Sequence, residues 1–281
     1  MSRSIAIDGP AGAGKSTIAR KVAKELGFIY VDTGAMYRAM ALYMINNGID
    51  ASESEKISAT CQSADITIKY ENGIQVVYLN GANVNSLIRT EAVGNMASAS
   101  SVNGDVRKKL VELQQKLAQT TDVVMDGRDI GTVVLPGADL KVYLTASSRV
   151  RAERRYKELT EKGVDCDLDA IEKDIIDRDY RDMHRDISPL KQAEDAVLLD
   201  SSYMTIDEVK DRILELYHIA IGGGLLWTLL YQNMQVSALE LPRRSKLYIS
   251  RLKKKNRIFI HTDLSSTTRR LWGILRKRES R

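Results

Sequence analysis

Residues 4–26 read SIAIDGPAGAGKSTIARKVAKEL. An apolar run, Ile5-Ala6-Ile7, stops at a stretch holding three glycines and a proline, and an amphipathic pattern then takes over. A turn that only joins a strand to a helix needs little such backbone freedom, so the stretch reads as a loop wrapped around something. Gly9-Pro10-Ala11-Gly12-Ala13-Gly14-Lys15-Ser16 satisfies G-x-x-x-x-G-K-[ST] in its required setting, after a strand and before a helix. Glycines let successive backbone N–H groups converge on phosphate oxygens, and the helix that follows adds the positive end of its dipole. Lys15 has the reach for β- and γ-phosphates, and the Ser16 hydroxyl is a ligand for Mg²⁺. The competing dinucleotide pattern, opened by Gly12 and Gly14 with Asp32 downstream, fails at Thr17 and leaves Lys15 unexplained.

Outward from this loop, residues 1–218 alternate strand and helix patterns. Short apolar runs at Ser4–Asp8, Phe28–Val31, Asp122–Asp126, Lys141–Leu144 and Ala196–Leu199 predict strands buried on both faces. Helical spacing predicts helices over Ser16–Leu26, Ala35–Asn46, Val106–Ala118, Ser148–Lys162, Asp169–Arg185 and Ile206–Tyr217, with Asp169 and Thr205 as caps. This alternation predicts an α/β fold, a doubly wound parallel sheet flanked by helices. Residues 65–84, DITIKYENGIQVVYLNGANV, break the rhythm. Their period-two patterns and two Asn-Gly turns predict a small antiparallel β insert, within about 60–100.

Composition narrows the chemistry. Of 281 residues, 43% are hydrophobic and 28% charged, as in a globular chain with a real core. The two cysteines, Cys61 and Cys166, lie far apart and the three histidines are scattered. A disulfide scaffold, a cysteine zinc site and a histidine-based nucleophilic triad are therefore disfavoured. No apolar run of signal-peptide length precedes the first glycine, so a cytoplasmic location is expected. The net charge of +5 is uneven: residues 219–281 carry fourteen Lys/Arg against three Asp/Glu, which leaves residues 1–218 at a net −6.

Two further strand ends carry charge. The second strand runs into Asp32-Thr33 and a helix bearing Arg38; the third runs into Asp126-Gly127-Arg128-Asp129. In a parallel sheet both reach the carboxyl edge, beside the first loop, where ligands bind. Asp126 is placed to touch Mg²⁺ or its waters, and Arg128 matches phosphate geometry. Arg151, Arg154 and Arg155 share one helix face and Arg178, Arg181 and Arg185 another, although acidic neighbours also allow an ordinary solvated surface. Two phosphate-directed loops, several arginines and no suitable histidine point to phosphoryl transfer between two anionic ligands. Positioning and charge neutralisation carry such a reaction.

Together, IDGPAGAGKST, DTGAMYR, the hairpin insert, IRTEAVGNMAS, VRKKL, DGRDIGTVVLP, VYLTASSRVRAERR, RDYRDMHRDISPL and AVLLDSS resemble the bacterial cytidylate kinases over roughly residues 3–218. These are P-loop enzymes that pass the γ-phosphate of ATP to CMP or dCMP. The resemblance implies that Gly9, Pro10, Ala11, Gly12, Ala13, Gly14, Lys15, Ser16 and Thr17 serve ATP, with Ser16 on Mg²⁺. It assigns the CMP phosphate and its surroundings to Thr33, Arg38, Arg128 and Arg185. Ser98, Arg107 and Asp129 would read the cytosine edge, and Asp182 the ribose. Arg154, Arg155, Arg178 and Arg151 would belong to an arginine-rich helical lid over about 148–186, or adjoin it. Lys15, Arg128, Arg154, Arg155, Arg178 and Arg185 make up the expected catalytic set, in a monomer. Thr33 stands where the family often has serine and keeps the hydroxyl.

The departure is the tail, 219–281. GGGLLWTLLYQNM is too short and too polar at its ends for a membrane span. Arg251-Leu-Lys-Lys-Lys-Asn-Arg257 has the composition to touch nucleic acid or anionic lipid, but no function is expected of the tail. Two other readings fit the motifs: a P-loop kinase with another acceptor, and a nucleotide-dependent nucleic-acid-binding protein anchored by the tail.

Overall fold

Five short strands form one parallel sheet in the computed structural model: β1 (Ser4–Asp8), β2 (Ile29–Asp32), β6 (Val123–Gly127), β7 (Leu140–Thr145) and β8 (Val197–Asp200), in the order β2-β6-β1-β7-β8. The structure describes residues 2–71 and 74–222. The tail beyond 222, and Asn72-Gly73 at the centre of the first expected turn, lie outside the described residues.

The central strands β6, β1 and β7 are buried on both faces, and their side chains alternate between two cores; β8, at the sheet edge, departs from the expectation and buries one face only, with Val197 and Leu199 inside and Leu198 55% exposed. Ala6, Val123 and Met125 face one; Ile5, Ile7, Val124, Leu140, Val142 and Leu144 face the other. Period-two alternation in an all-apolar run has this consequence, and it explains why these strands show no polar side in the sequence.

On the second face lie α1 (Lys15–Leu26), through Ile18, Ala19, Val22 and Ala23, and α8 (Ile206–Ala220), through Val209, Ile213, Leu216 and Tyr217. On the first lies α2 (Thr33–Asn46), whose Met36, Met40 and Met44 are fully buried. Each buried side chain of that size contributes roughly 1.5–3 kcal/mol. The same core takes in α3 (Ser54–Cys61), α4 (Glu91–Ser100) and α5 (Gly104–Thr120).

The insert is an antiparallel sheet of β3 (Ile66–Glu71), β4 (Ile74–Leu79) and β5 (Ala82–Asn83). Asn80 and Gly81, both with positive φ, form its second turn. Two side chains moor it to the main sheet. Gln75 accepts from the Asp32 N–H at 2.7 Å and donates to the Asp32 carbonyl at 3.3 Å; the Tyr70 hydroxyl donates to the Tyr30 carbonyl at 3.1 Å.

The arginine-rich helices are α6 (Ser148–Glu161) and α7 (Leu168–His184). Ser148 and Arg149, against Asp169 and Glu172, tie them together. Asp169 is thus engaged by Arg149 at 2.6 Å, and the cap of α7 is Asp167, whose carboxylate accepts from the Ala170 N–H at 2.7 Å. Thr205 caps α8 as expected, in a reciprocal box with Glu208. Helices α3 and α4 have no counterpart among the expected elements. They are short and their spacing is weak, and burial in the core holds them.

Candidate active site

The strand register brings three acidic strand ends to one edge. Asp8 lies opposite Gly127, and Asp32 opposite Asp126. The phosphate loop leaves this edge from β1. Gly9 has φ +149°, and a Cβ there would lie 1.9 Å from the Leu144 carbonyl oxygen, so only glycine lets the loop cross β7 at this point. Arg151 secures the loop from the other side: it donates to the Ala146 and Ala11 carbonyls at 2.8 and 2.9 Å and pairs with Asp179 of α7 at 2.6 Å.

Lys15 is 6% exposed, and its Nζ donates to the Pro10 carbonyl at 2.7 Å, across the loop it closes. Burial, with the nearby charge of Arg128, pushes its amine down to about 7. Ser16 donates to the Asp126 carboxylate at 2.8 Å, and the Tyr30 hydroxyl donates to the other oxygen of that carboxylate at 2.9 Å. Burial, reinforced by Asp32, raises Asp126. Ser16 and Asp126 thus set two hard oxygen donors side by side, a set suited to Mg²⁺, which prefers one or two carboxylates and fills its shell from phosphate and water. Among the described residues no group of three His, Cys, Asp or Glu could hold a metal alone.

A few residues away is a cluster of guanidinium groups. Asp32 caps α2 by accepting from the Ala35 N–H at 2.9 Å, and pairs with Arg38 at 3.2 Å and Arg89 at 3.0 Å. Thr33 donates to the Asp126 carbonyl at 2.6 Å. Arg107 and Asp129 form a buried ion pair, with the Arg107 guanidinium 5.6 Å from the centre of the Tyr37 ring. Burial, with Asp129 close by, pushes the Tyr37 hydroxyl up to about 12. Arg128 donates to Asp182 at 2.8 Å, and Arg185 lies 4.0 Å from the same carboxylate. Burial works to raise Asp182, but the charge and hydrogen bond of Arg128 prevail and hold it low. Arg38 and Arg185 are both lowered by burial.

Three N–H groups of this cluster are buried with no hydrogen-bond partner: Nε of Arg38, Nε of Arg107 and one terminal nitrogen of Arg185. A buried donor without an acceptor is costly, about 1–3 kcal/mol each, and a guanidinium N–H in that state is chemically suited to an oxygen of an anion. The cluster is continuous with the phosphate loop: Lys15 feels the charges of Arg128, Asp126, Asp8 and Asp182.

Some of the sequence-predicted residues stand elsewhere. Arg154 donates to the Ser201 carbonyl at 2.7 Å, and Arg155 pairs with Glu158 on the exposed side of α6. Arg178, by contrast, stands with the cluster: burial and the charge of Arg128 lower it, with Asp182 and Arg38 close by, and among the described residues it makes no ion pair or hydrogen bond. The Ser98 side chain, half-buried on α4, makes no hydrogen bond among the described residues. Sequence reasoning missed Tyr37, Arg89 and Asp8. Asp8 carried the same mark as Asp32 and Asp126, an acid ending an apolar run; Tyr37 lies one helical turn after Thr33, on α2.

Over residues 5–219 the chain matches the family model described as cytidylate kinase. It is 50% identical to the cytidylate kinase of Caldicellulosiruptor saccharolyticus over 219 residues, covering 78% of this chain and 97% of that one. It is 50% identical to that of Lactobacillus johnsonii over 212 residues, covering 75% and 92%. Among solved structures it is similar to the shikimate kinase from Acinetobacter baumannii in complex with shikimate, at 16% identity and TM-score 0.40, over 80% of this chain and 96% of that one.

Proposed function

The chain belongs to the cytidylate kinase family, and from that premise we propose that residues 1–218 transfer the γ-phosphate of ATP to CMP or dCMP, releasing ADP and CDP or dCDP. One observation supports this above the others: a phosphate loop adjoining a guanidinium cluster with three unpartnered buried N–H groups.

In this reading the N–H groups of residues 9–17 cradle the ATP phosphates, and Lys15 leaves the Pro10 carbonyl for the β- and γ-oxygens. Ser16, with Asp126 beside it, holds Mg²⁺, which neutralises charge on the β- and γ-phosphates. Thr33, Arg38, Arg128 and Arg185 receive the acceptor phosphate, whose oxygens satisfy the orphaned guanidinium N–H groups. The buried Arg107–Asp129 pair, with Ser98, presents a donor and an acceptor to the cytosine edge, and Asp182 accepts from the ribose. The acceptor is already an anion, so the reaction needs orientation and charge neutralisation more than a base. Arg154, Arg155 and Arg178, on the helix pair α6–α7, close over the phosphates and exclude water. The residues given to the two nucleotides in this reading all come from residues 2–222; the protein is expected to work as a monomer, with no part in turnover for the basic tail.

A coupled assay of the full chain with ATP and CMP, dCMP, UMP or AMP tests the reading. CMP and dCMP are expected to be the preferred acceptors; AMP as the best acceptor would overturn the cytosine assignment.

A further inference from the structure

Asp8 is a buried carboxylate with no role in the transfer described above, yet both its oxygens are engaged. One accepts from the Ile130 N–H at 2.8 Å and the other from the Gly131 N–H at 2.7 Å. These are the leading amides of a π-helical turn, Ile130–Val134, and Asp129, the residue preceding that turn, makes no side-chain capping bond to it. Leading amides of a helical turn have no partner within it, so the cap here comes from a different strand.

We propose that Asp8 is the positioning residue of the acceptor site: its two hydrogen bonds fix the backbone that aims Arg128 and Asp129. The proposal rests on the kinase reading and deepens it. Arg128 and Asp129 span the short path from Gly127 to Ile130. The sheet register anchors the near end, Gly127 opposite Asp8, and the Asp8 carboxylate anchors the far end. Asp129 can therefore hold its ion pair with Arg107, and Arg128 its bond to Asp182, without the loop drifting. Asp8 also immediately precedes Gly9, so one residue ties the start of the ATP loop to the acceptor loop.

Gly131 fits the same purpose. A Cβ there would lie 3.3 Å from the Asp8 carboxylate and 3.1 Å from Lys141 Cδ, so an added methyl group makes the carboxylate or the lysine stem give by a few tenths of an ångström. The two nearby lysines do not take the place of the amides: Lys141 Nζ is bound to Asp195 at 2.8 Å and Lys15 Nζ to the Pro10 carbonyl. The chemistry calls for a carboxylate. Two converging N–H groups need two acceptors, and an asparagine of the same shape would turn an NH₂ toward one of them.

The test uses the full chain with Asp8→Asn and, separately, Gly131→Ala, which probes the clamp from the other side. Both KM values and the ratio of kcat/KM for CMP over UMP are measured, because neither depends on how much protein is folded. Asp8→Asn should raise KM for CMP about tenfold, lower the CMP-over-UMP ratio by a similar factor, and leave KM for ATP within about twofold. Gly131→Ala should shift the same quantities in the same direction. Amide hydrogen exchange, which needs no substrate, should show lost protection at Ile130 and Gly131 in Asp8→Asn. The proposal is overturned if protection persists, if KM for CMP and the ratio stay within about twofold in the folded variants, or if both KM values rise together. Should Asp8→Asn not fold, Gly131→Ala decides by the same criteria. Failure of the kinase reading would show instead in the unsubstituted chain, as no turnover of CMP.

Discussion

Lys15 and Asp8 lie seven residues apart, both buried, and burial moves them in opposite directions. Lys15 is pushed down to about 7 because its charge is poorly solvated, and phosphate oxygens are what restore the charged form. Lys15→Ala should lower kcat by about 10²–10³-fold with a much smaller change in KM for CMP, a split that steady-state kinetics resolves. For Asp8, burial outweighs its two backbone hydrogen bonds and raises the carboxyl to about 6. A raised acid binds its proton more tightly in the folded state, so its contribution to stability grows as pH falls from about 6 toward 4 and is lost as pH rises through 6. Protonation also removes one of the two acceptors. The Ile130 and Gly131 amide resonances of the ligand-free protein should therefore titrate with a midpoint near pH 6; flat resonances between pH 5 and 7 would contradict this.

Among the elements, the antiparallel insert shows most clearly how a local pattern is joined to a distant one. Its strands follow from alternation and turn residues, but its attachment depends on Gln75, a half-buried glutamine on β4 that grips both backbone polar groups of Asp32. Asp32 in turn caps the helix carrying Tyr37 and Arg38 and pairs with Arg38 and Arg89. Gln75→Ala should cost about 1–2 kcal/mol of unfolding free energy for two lost hydrogen bonds, measured by urea denaturation. It should also raise KM for CMP more than KM for ATP, because the loosened Asp32 caps the helix carrying Arg38, which the proposed function gives to the acceptor phosphate. The helix pair α6–α7 is moored differently: buried Arg151 bonds the phosphate loop at Ala11 and α7 at Asp179, so the arginine-rich elements and the loop share one side chain.

For the molecule as a whole, the parallel sheet determines where chemistry can happen. Register lines up Asp8, Asp32 and Asp126 at one edge, and every group assigned to either nucleotide lies within residues 2–222. A chain ending at Gly222 should keep CMP phosphorylation within about twofold of the full chain in the same coupled assay; loss of activity would give residues 223–281 a part in turnover. The phosphate loop, the strand–helix alternation and the insert could all be read from residues 1–218, because each rests on local constraints: glycine at positive φ, apolar runs of strand length, Asn-Gly turns. The arginines of the acceptor side could be nominated by their motifs, but their partners could not. Arg107 meets Asp129 across 22 residues and Arg128 meets Asp182 across 54, separations that only the folded chain closes. Asp8 as a clamp, Arg151 as a mooring and Asp167, in place of Asp169, as the α7 cap were likewise decided in three dimensions. The reason is physical: periodicity and turn chemistry act between near neighbours along the chain, whereas pairing of a buried charge depends on which distant backbone or side chain arrives beside it.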